Sequence, residues 1–257
     1  MVDIHNHILP NMDDGAKSIK QSLEIIKEMS ESGVTDIIVT PHFILGSKFE
    51  KNNFDKEVSL ENLKKELRKN QIKMNLYLGN EVLLNKNIFE LLETGKILTL
   101  NNSRYLLVEF KRDHNHSEMD DLLYSIKRKN IIPILAHPER YTYYQKHPEK
   151  LMDLKESGVL FQCNLGSFLG HYGKDSKRLV KKLLKHHFID FLSSDVHRSG
   201  IKVYEELEKI EKKYFKKISK KELKMMLELN GKKVIENEVI QIKKYKPFKK
   251  TIFGFWK

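Results

Sequence analysis

The chain has 257 residues, of which 40% are hydrophobic and 32% charged, with a formal net charge of +12 and a single cysteine. That balance describes a folded domain with a heavily charged surface and excludes a disordered chain, while one cysteine excludes a disulfide framework or a thiolate metal cluster within one chain. No apolar run approaches the roughly 18 residues of a membrane helix, and Asp3, His5 and His7 occupy the place where a signal peptide would begin, so the expected compartment is the cytoplasm.

Val2 to His7 alternates apolar and polar residues, as a strand does, which puts His5 and His7 on one side of it. Two imidazoles converging at a strand end make a metal-site hypothesis. Lys17 to Ser32 has helical spacing at Ile19, Leu23, Ile26 and Met29, with Gly33 as its stop. Asp36 to Thr40 reads as a buried parallel strand, followed at once by Pro41-His42. Asn52 to Asn70 is a charged helix with Leu60, Leu63 and Leu67 in its stripe, and the strand Met74 to Leu78 closes on Gly79-Asn80-Glu81.

The alternation continues with a helix at Asn87 to Thr94, the strand Tyr105 to Val108 ending in Glu109, and a helix from about Ser117 to Lys129. Ile132 to Ala136 is a strand that ends in His137-Pro138-Glu139-Arg140. Pro148 to Ser157 reads as helix, Val159 to Asn164 as strand, Asp175 to His187 as helix, and Phe188 to Ser193 as a seventh strand running into Ser194-Asp195-Val196-His197. Two further helices, Ile201 to Tyr214 and Ser219 to Asn230, precede a tail. Seven strand–helix repeats imply a parallel sheet with right-handed crossovers, curled into a barrel, with an open doubly wound sheet as the alternative. Residues 1–238 form one domain in this reading. Residues 239–257 form a basic-aromatic tail, with six lysines, no acid, and Tyr245, Phe248, Phe253, Phe255 and Trp256 interleaved. Such a tail is either solvated or meets an anionic surface, the inner face of the membrane or an acidic partner.

His5, His7, His42, Glu81, Glu109, His137, Asp195 and His197 all fall at or just past the C-terminal ends of strands, and in a parallel α/β barrel those ends share one face that carries the active site. The other histidines, at 114, 116, 147, 171, 186 and 187, lie in predicted helices and loops. Cys163 has leucine at position 169, where a cysteine phosphatase needs arginine, and reads as a buried strand residue.

The ordered set Asp3-Ile4-His5-Asn6-His7, Asp13-Asp14-Gly15, Thr40-Pro41-His42, Gly79-Asn80-Glu81, Val108-Glu109, Ala136-His137-Pro138-Glu139-Arg140 and Ser194-Asp195-Val196-His197 resembles the polymerase and histidinol phosphatase (PHP) superfamily. Within it, the chain looks most like the bacterial metal-dependent protein-tyrosine phosphatases of capsule and exopolysaccharide operons. The resemblance spans about residues 1 to 200. It implies a distorted seven-stranded barrel of PHP type holding three divalent metals, manganese above iron, zinc, cobalt or magnesium. It implies that His5, His7, Glu81 and Asp195 surround one metal, that Glu81 bridges to a second held also by Glu109 and His137, and that Asp14, His42 and His197 hold a third. Spacing does not separate Asp14 from Asp13. Such a site carries net positive charge, attracts a phosphate dianion and generates a nucleophile without cysteine or serine.

Arg140 is the candidate phosphate clamp, with a salt bridge to Glu139 as its structural alternative. The phosphatases resembled typically carry a second arginine in an Arg-Pro-rich loop after the last motif, and this chain has Arg198-Ser199-Gly200-Ile201-Lys202 there, so Arg198 and Lys202 are both candidates for that work. No general acid is evident, which suits an aryl phosphate, whose phenolate leaves with a pKa near 10. The expected substrate is the phosphotyrosine tail of a bacterial tyrosine kinase that controls surface polysaccharide. The rivals are a phosphoesterase for a small metabolite, a nuclease drawing on the positive charge, and an inert barrel whose tail docks to membrane or kinase.

Overall fold

The computed structural model describes residues 1–111, 116–216, 218–241 and 244–249. Among the described residues, nine short strands are all paired in parallel: β1 (Val2–Asp3), β2 (Asp36–Val39), β3 (His42–Phe43), β4 (Asn75–Leu78), β5 (Glu81–Leu83), β6 (Tyr105–Glu109), β7 (Ile132–Ala136), β8 (Leu160–Asn164) and β9 (Phe191–Ser193). They form a three-stranded sheet, β1-β2-β4, and a six-stranded sheet, β3-β5-β6-β7-β8-β9.

The seven strands read from the sequence become nine because two of them each cross from one sheet to the other. After β2 the chain leaves the first sheet at Thr40-Pro41 and enters the second at His42; after β4 it does the same at Gly79-Asn80 and re-enters at Glu81. Pro41 has no N–H for a ladder and biases Thr40 toward extended backbone. Gly79 lies against Leu100, where an added Cβ would stand 2.7 Å from Leu100 Cδ2. The two breaks fall side by side, so His42 pairs in register with Glu81. The first segment is also tied to the last strand: Ile4 N–H donates to Ser193 Oγ (3.2 Å), Asp195 N–H to the His5 carbonyl (2.9 Å) and His7 N–H to the Val196 carbonyl (2.9 Å).

Alternation along the strands divides the apolar residues into two layers. Leu106, Val108, Leu135, Phe161 and Cys163 face outward into the layer beneath the helices. Ile4, Ile38, Tyr105, Leu107, Ile134, Ala136 and Leu160 make a separate inner cluster. The same period of two turns Glu109, Gln162 and Asn164 to the inner side, so the inner stack begins apolar and becomes polar toward the C-terminal strand ends.

The helices are α1 (Ile19–Glu31), α2 (Asn53–Lys69), α3 (Ile88–Glu93), α4 (His116–Arg128), α5 (Thr142–Lys146), α6 (Lys150–Glu156), α7 (Leu165–Leu169), α8 (Gly173–Lys185), α9 (Leu207–Tyr214), α10 (Lys220–Lys224) and α11 (Asn230–Ile235). Side-chain caps open α1 at Ser18 and α2 at Asn52, each accepting from a backbone N–H three residues on. The expected helix over 201–214 begins only at Leu207, and the one over 219–230 runs on through a π-helical turn, Met225–Leu229, to Ile235. Val234 and Ile240 close the foot of the inner cluster, where the Tyr105 hydroxyl donates to the Glu238 carbonyl (2.7 Å) and accepts from Ile240 N–H (2.9 Å).

Below β8, the fully buried Lys155 is paired with Asp190, whose carboxylate also accepts from Phe161 N–H (2.7 Å). Tyr245 and Phe248, from the predicted tail, lie on Phe188 with ring centroids 4.6 and 4.7 Å away. Phe253, Phe255 and Trp256 lie outside the described residues. Among the described residues no helix is long and apolar enough to cross a membrane.

Candidate metal centre

Asp3, fully buried, organises the start of the site. Its Oδ1 accepts from His5 N–H (2.9 Å) and Asn6 Nδ2 (3.1 Å), and its Oδ2 from Ser194 N–H (3.0 Å) and the Tyr204 hydroxyl (2.8 Å). One carboxylate thus joins the first motif of the chain to the last. His5 then donates from Nδ1 to Gln162 Oε1 (2.7 Å), and His7 from Nδ1 to the Asp13 carboxylate (2.6 Å), tautomers assigned from these acceptors. With Nδ1 engaged on each ring, the two Nε2 atoms are left facing one another 3.4 Å apart.

Carboxylates close around that pair. Glu81 Oε1 lies 3.2 Å from His5 Nε2 and 3.0 Å from His137 Nε2, while Oε2 lies 3.3 Å from His7 Nε2 and 3.0 Å from His42 Nδ1. Asp195 Oδ1 is 3.4 Å from both His5 Nε2 and His7 Nε2. Glu109 stands 3.2 Å from His42 Nδ1 and 4.0 Å from His137 Nε2. On the outer side Asp14 Oδ1 is 3.5 Å from both His42 Nε2 and His197 Nε2, and the His7 and His197 rings stack at 3.9 Å.

The structure therefore brings all nine candidate ligands together, in four overlapping groups: His7, Asp14, His42 and His197; His5, His7 and Glu81; His5, His137 and Asp195; and His42, Glu81 and Glu109. His42 reaches two of these groups, one through each ring nitrogen. The pair of aspartates that spacing left open divides its work. Asp13 is buried, holds His7 and also accepts from the His42 and Gly15 N–H groups at 2.9 Å each, whereas Asp14 is the one turned toward His42 and His197.

At His5, His7, His42, Glu81 and Asp195 burial opposes charge, yet the pairs overcome it. Desolvation and the neighbouring His7 pull His42 down, but Glu81 and Glu109 outweigh them and raise it from 6.5 to about 10. His7 is likewise raised well above its ordinary value against its burial, mainly by Asp13, and Glu81 is held well below the usual carboxylate range, against its own burial, by His5 and His42. Glu81 Oε2 and His42 Nδ1 are both buried, and neither makes a directed hydrogen bond among the described residues. Lone pairs of five imidazoles and four carboxylates converge on a volume with too few donors, which is the arrangement a cation completes. The donors are nitrogen and oxygen throughout, the set that divalent manganese, iron, zinc or cobalt accepts. Both His137 (φ 36°) and Asp195 (φ 52°) hold left-handed backbone at the strand ends, a strain of about 1–3 kcal/mol each that the surrounding hydrogen bonds sustain.

Arg140 does not pair with Glu139. Its NH1 donates to Asp195 Oδ2 (2.6 Å), and its guanidinium lies 4.4 Å from the centre of the Tyr172 ring. Glu139 turns inward, fully buried, where Oε1 accepts from Asn164 N–H (2.9 Å) and Ser167 Oγ (2.7 Å) and so fixes the start of α7. Arg140, Asp14, Glu109 and Tyr141 help to line a cavity of about 220 Å³ over the cluster. It adjoins a groove of about 1,020 Å³ that Arg140 and Tyr172 share with Arg198, Ile201 and Lys202. Arg198 and Lys202 thus stand on the groove, outside the cluster, and Lys202 pairs with Glu205 at 2.7 Å. Cys163 is fully buried, and burial and the Glu139 carboxylate push its thiol well up.

Sequence reasoning passed over Asp3, Gln162, Asn164 and Tyr172. Gln162 Nε2 donates to Asn164 Oδ1 (2.8 Å), and Asn164 Nδ2 to Asp195 Oδ2 (2.6 Å), so this relay sets both His5 and Asp195. Two amides alternating with Phe161 and Cys163 in a buried strand were the available signal.

The family model for capsular polysaccharide synthesis, CpsB/CapC, matches residues 1–236. CapC of Staphylococcus aureus is 36% identical over 198 residues, 77% of each chain. The tyrosine-protein phosphatase YwqE of Bacillus subtilis is 32% identical over the whole of both chains. A solved structure of the metal-dependent tyrosine phosphatases YwqE of Bacillus subtilis and CpsB of Streptococcus pneumoniae superposes with a TM-score of 0.87 at 30% identity, covering 97% of this chain and 100% of that one.

Proposed function

The chain belongs to the CpsB/CapC family of capsular polysaccharide synthesis, and from this and the site we infer that it is a metal-dependent protein-tyrosine phosphatase. Its substrate, in our reading, is the phosphotyrosine tail of a bacterial tyrosine kinase that governs surface-polysaccharide export. The observation that carries this is the convergence of nine nitrogen and oxygen ligands beneath a cavity that Arg140 also lines and that opens beside a broad groove. A small metabolite calls for a closed pocket, whereas a groove with the exposed Arg198 and Lys202 on its wall suits a peptide.

We propose three divalent ions, manganese first, held by His5, His7, Glu81 and Asp195, by Glu81, Glu109 and His137, and by Asp14, His42 and His197. When bound, such ions supply a nucleophile at neutral pH and neutralise charge on the phosphoryl oxygens. Gln162 and Asp13 hold His5 and His7 in the tautomers that leave Nε2 free to ligate. Arg140, positioned by Asp195 and Tyr172, binds the phosphoryl oxygens as they enter the cavity. A phenolate leaves without full protonation, so the absence of an evident acid is no obstacle for an aryl ester. The two sheets, joined through the Asn6–Val196 bridge, are in our reading one distorted barrel of seven strands, two of them interrupted.

The test is phosphate release from a phosphotyrosine peptide, beside histidinol phosphate and single-stranded DNA, by protein stripped of metal and then given manganese. Manganese-dependent turnover of the peptide alone supports the reading. Turnover of only the metabolite or the DNA overturns the substrate and keeps the centre.

A further inference from the structure

The cavity over the cluster and the groove beside it differ in what lines them. The cavity carries Arg140 and seven of the nine candidate ligands, and the aromatic side chains on it, Phe110 and Tyr141, are both buried. The groove shares Asp14, Arg140, Asp195 and His197 with the cavity, and it adds three apolar side chains, Leu169, Tyr172 and Ile201, beside charged ones such as Arg198 and Glu206. Leu169 and Tyr172 are half-buried and Ile201 is 40% exposed, so each has apolar surface left to cover. An aryl phosphate has the same two halves. Its dianion finds partners in the cavity, whereas a ring placed there would strip water from carboxylates and imidazoles and return no hydrogen bond. The ring therefore stays at the threshold, where the two spaces meet at Arg140.

The apolar side chains at that threshold are held in place. Tyr172 lies with its ring centre 4.4 Å from the Arg140 guanidinium and its hydroxyl 3.3 Å from Asp195 Oδ2. Its Cε2 packs on α7, 3.3 Å from where a Cβ on Gly166 would stand. Leu169 is the last residue of the same helix. Ile201 comes from a different segment, the loop after β9. That loop is tied to α1 by Gly200 N–H, which donates to the Glu28 carboxylate at 3.2 Å to each oxygen, and it is closed by Val203 N–H on the Ile201 carbonyl (2.9 Å). Val203 and Tyr204 turn into the core, so the isoleucine is presented to the groove by an anchored loop.

We propose that Leu169, Tyr172 and Ile201 form an aryl subsite, with Ile201 as the residue that sets the preference for an aryl over an alkyl phosphate, an assignment that rests on the phosphatase reading of the adjoining centre. With the phosphate in the cavity, the ring lies along these three side chains and its apolar surface leaves water. A small alkyl or seryl phosphate enters the same cavity through its dianion and gains nothing from them. Discrimination therefore arises where the ring lies, outside the metal ligands.

Two phosphonates that cannot be hydrolysed separate the ring from the phosphate: benzylphosphonate and ethylphosphonate, each with a methylene in place of the ester oxygen. Both are titrated as dianions into the manganese-loaded full chain and followed by calorimetry, beside turnover of a phosphotyrosine peptide. Benzylphosphonate should bind about tenfold or more tightly than ethylphosphonate, the gain of a ring in a half-open apolar site. In Ile201→Ser, checked for folding by melting, that preference should shrink to about threefold or less while ethylphosphonate binds as before. Ile201→Leu should restore it. The peptide's KM should rise about three- to tenfold in Ile201→Ser with kcat nearly unchanged. Equal affinity of the parent for the two phosphonates, an unchanged preference in folded Ile201→Ser, or an equal loss of both ligands in that variant would each overturn the subsite. Should Ile201→Ser not fold, Ile201→Gln carries the same comparison. The phosphatase reading fails separately: a benzyl preference that Ile201→Ser removes, in a protein that does not turn over the peptide, would keep the subsite and discard the tyrosyl substrate.

Discussion

Two sets of charge in this fold, Lys155 with Asp190 and the cluster at the strand ends, are built on opposite plans. Lys155 and Asp190, below β8, neutralise each other, and Asp190 takes a further bond from Phe161 N–H. The cluster at the C-terminal strand ends is not self-sufficient: four carboxylates and five imidazoles converge, Asp14 from the exposed outer side, with donors too few to satisfy the buried ones. Burying a charge is costly unless it is paired. The first set meets that cost internally and is architecture; the second leaves the balance to ions from solution, and that deficit is what makes it a site.

The contrast can be broken most sharply at Glu81, which faces His5, His7, His42 and His137. Glu81→Ala should abolish metal-dependent phosphatase activity, a loss of about a thousandfold or more, well beyond the roughly 10–100-fold of an outer-shell change, while the melting profile stays cooperative. Full activity in that variant would remove Glu81 from the ligand set. At Lys155 the order reverses. Lys155→Met leaves Asp190 buried and uncompensated and should cost about 3–5 kcal/mol of stability, read by denaturant titration, with activity per folded molecule unchanged. Adding Asp190→Leu should recover most of the loss, since an apolar pair of similar size is often neutral.

A smaller effect sharpens the boundary between ligand and support. Asp13→Asn keeps the shape beside His7 but weakens its hold on the ring, and should reduce metal affinity by roughly 10–100-fold, measured by calorimetric titration. Asp14→Asn, on the outer side, should instead lose one ion from the metal count by mass spectrometry or elemental analysis. The smallest effect is on pH. In the metal-free protein His42 is raised from 6.5 to about 10, so its charged form stabilises the fold fully below about 6.5, and that contribution is lost as pH rises toward 10. The melting temperature of the metal-free protein should therefore fall across that window, and manganese, which replaces the proton, should flatten the fall. A parallel decline in both forms would show that His42 is not a ligand.

Eight of the nine members of the cluster were legible in the sequence because they sit at or just past strand ends, and strand ends of a parallel sheet meet whatever the loops between them do, whereas Asp14 lies in the loop after β1 and came only from the family resemblance. The breaks at Pro41 and Gly79 were not, since a strand that changes sheets has the same apolar pattern as one that does not. Nor was the division between Asp13 and Asp14: adjacent aspartates before Gly15 have equal claims until the backbone shows that one faces the His7 ring. Nor was it legible that Arg140 and Glu139, paired in the alternative to the phosphate clamp, do not meet: the turn after His137 sends these neighbouring side chains to opposite sides. The tail was read as one stretch, yet Phe248 is 4% exposed against Phe188 while Lys244, Lys246 and Lys249 face solvent. Charge and aromatic content announce a sticky segment without saying which residues are already spent on the protein itself.

Asp3 and Tyr204, joined across 201 residues of sequence, carry a consequence for how the protein comes into being. The first motif leaves the ribosome well before its partners, since Asp195 and His197 follow His5 and His7 by about 190 residues. At roughly 5–20 residues per second, His5 and His7 wait on the order of 10–40 seconds for the rest of the centre. A nascent chain in that interval holds fragments of a chelator rather than a chelator, and a chain cut short before Asp195 lacks part of the ligand set.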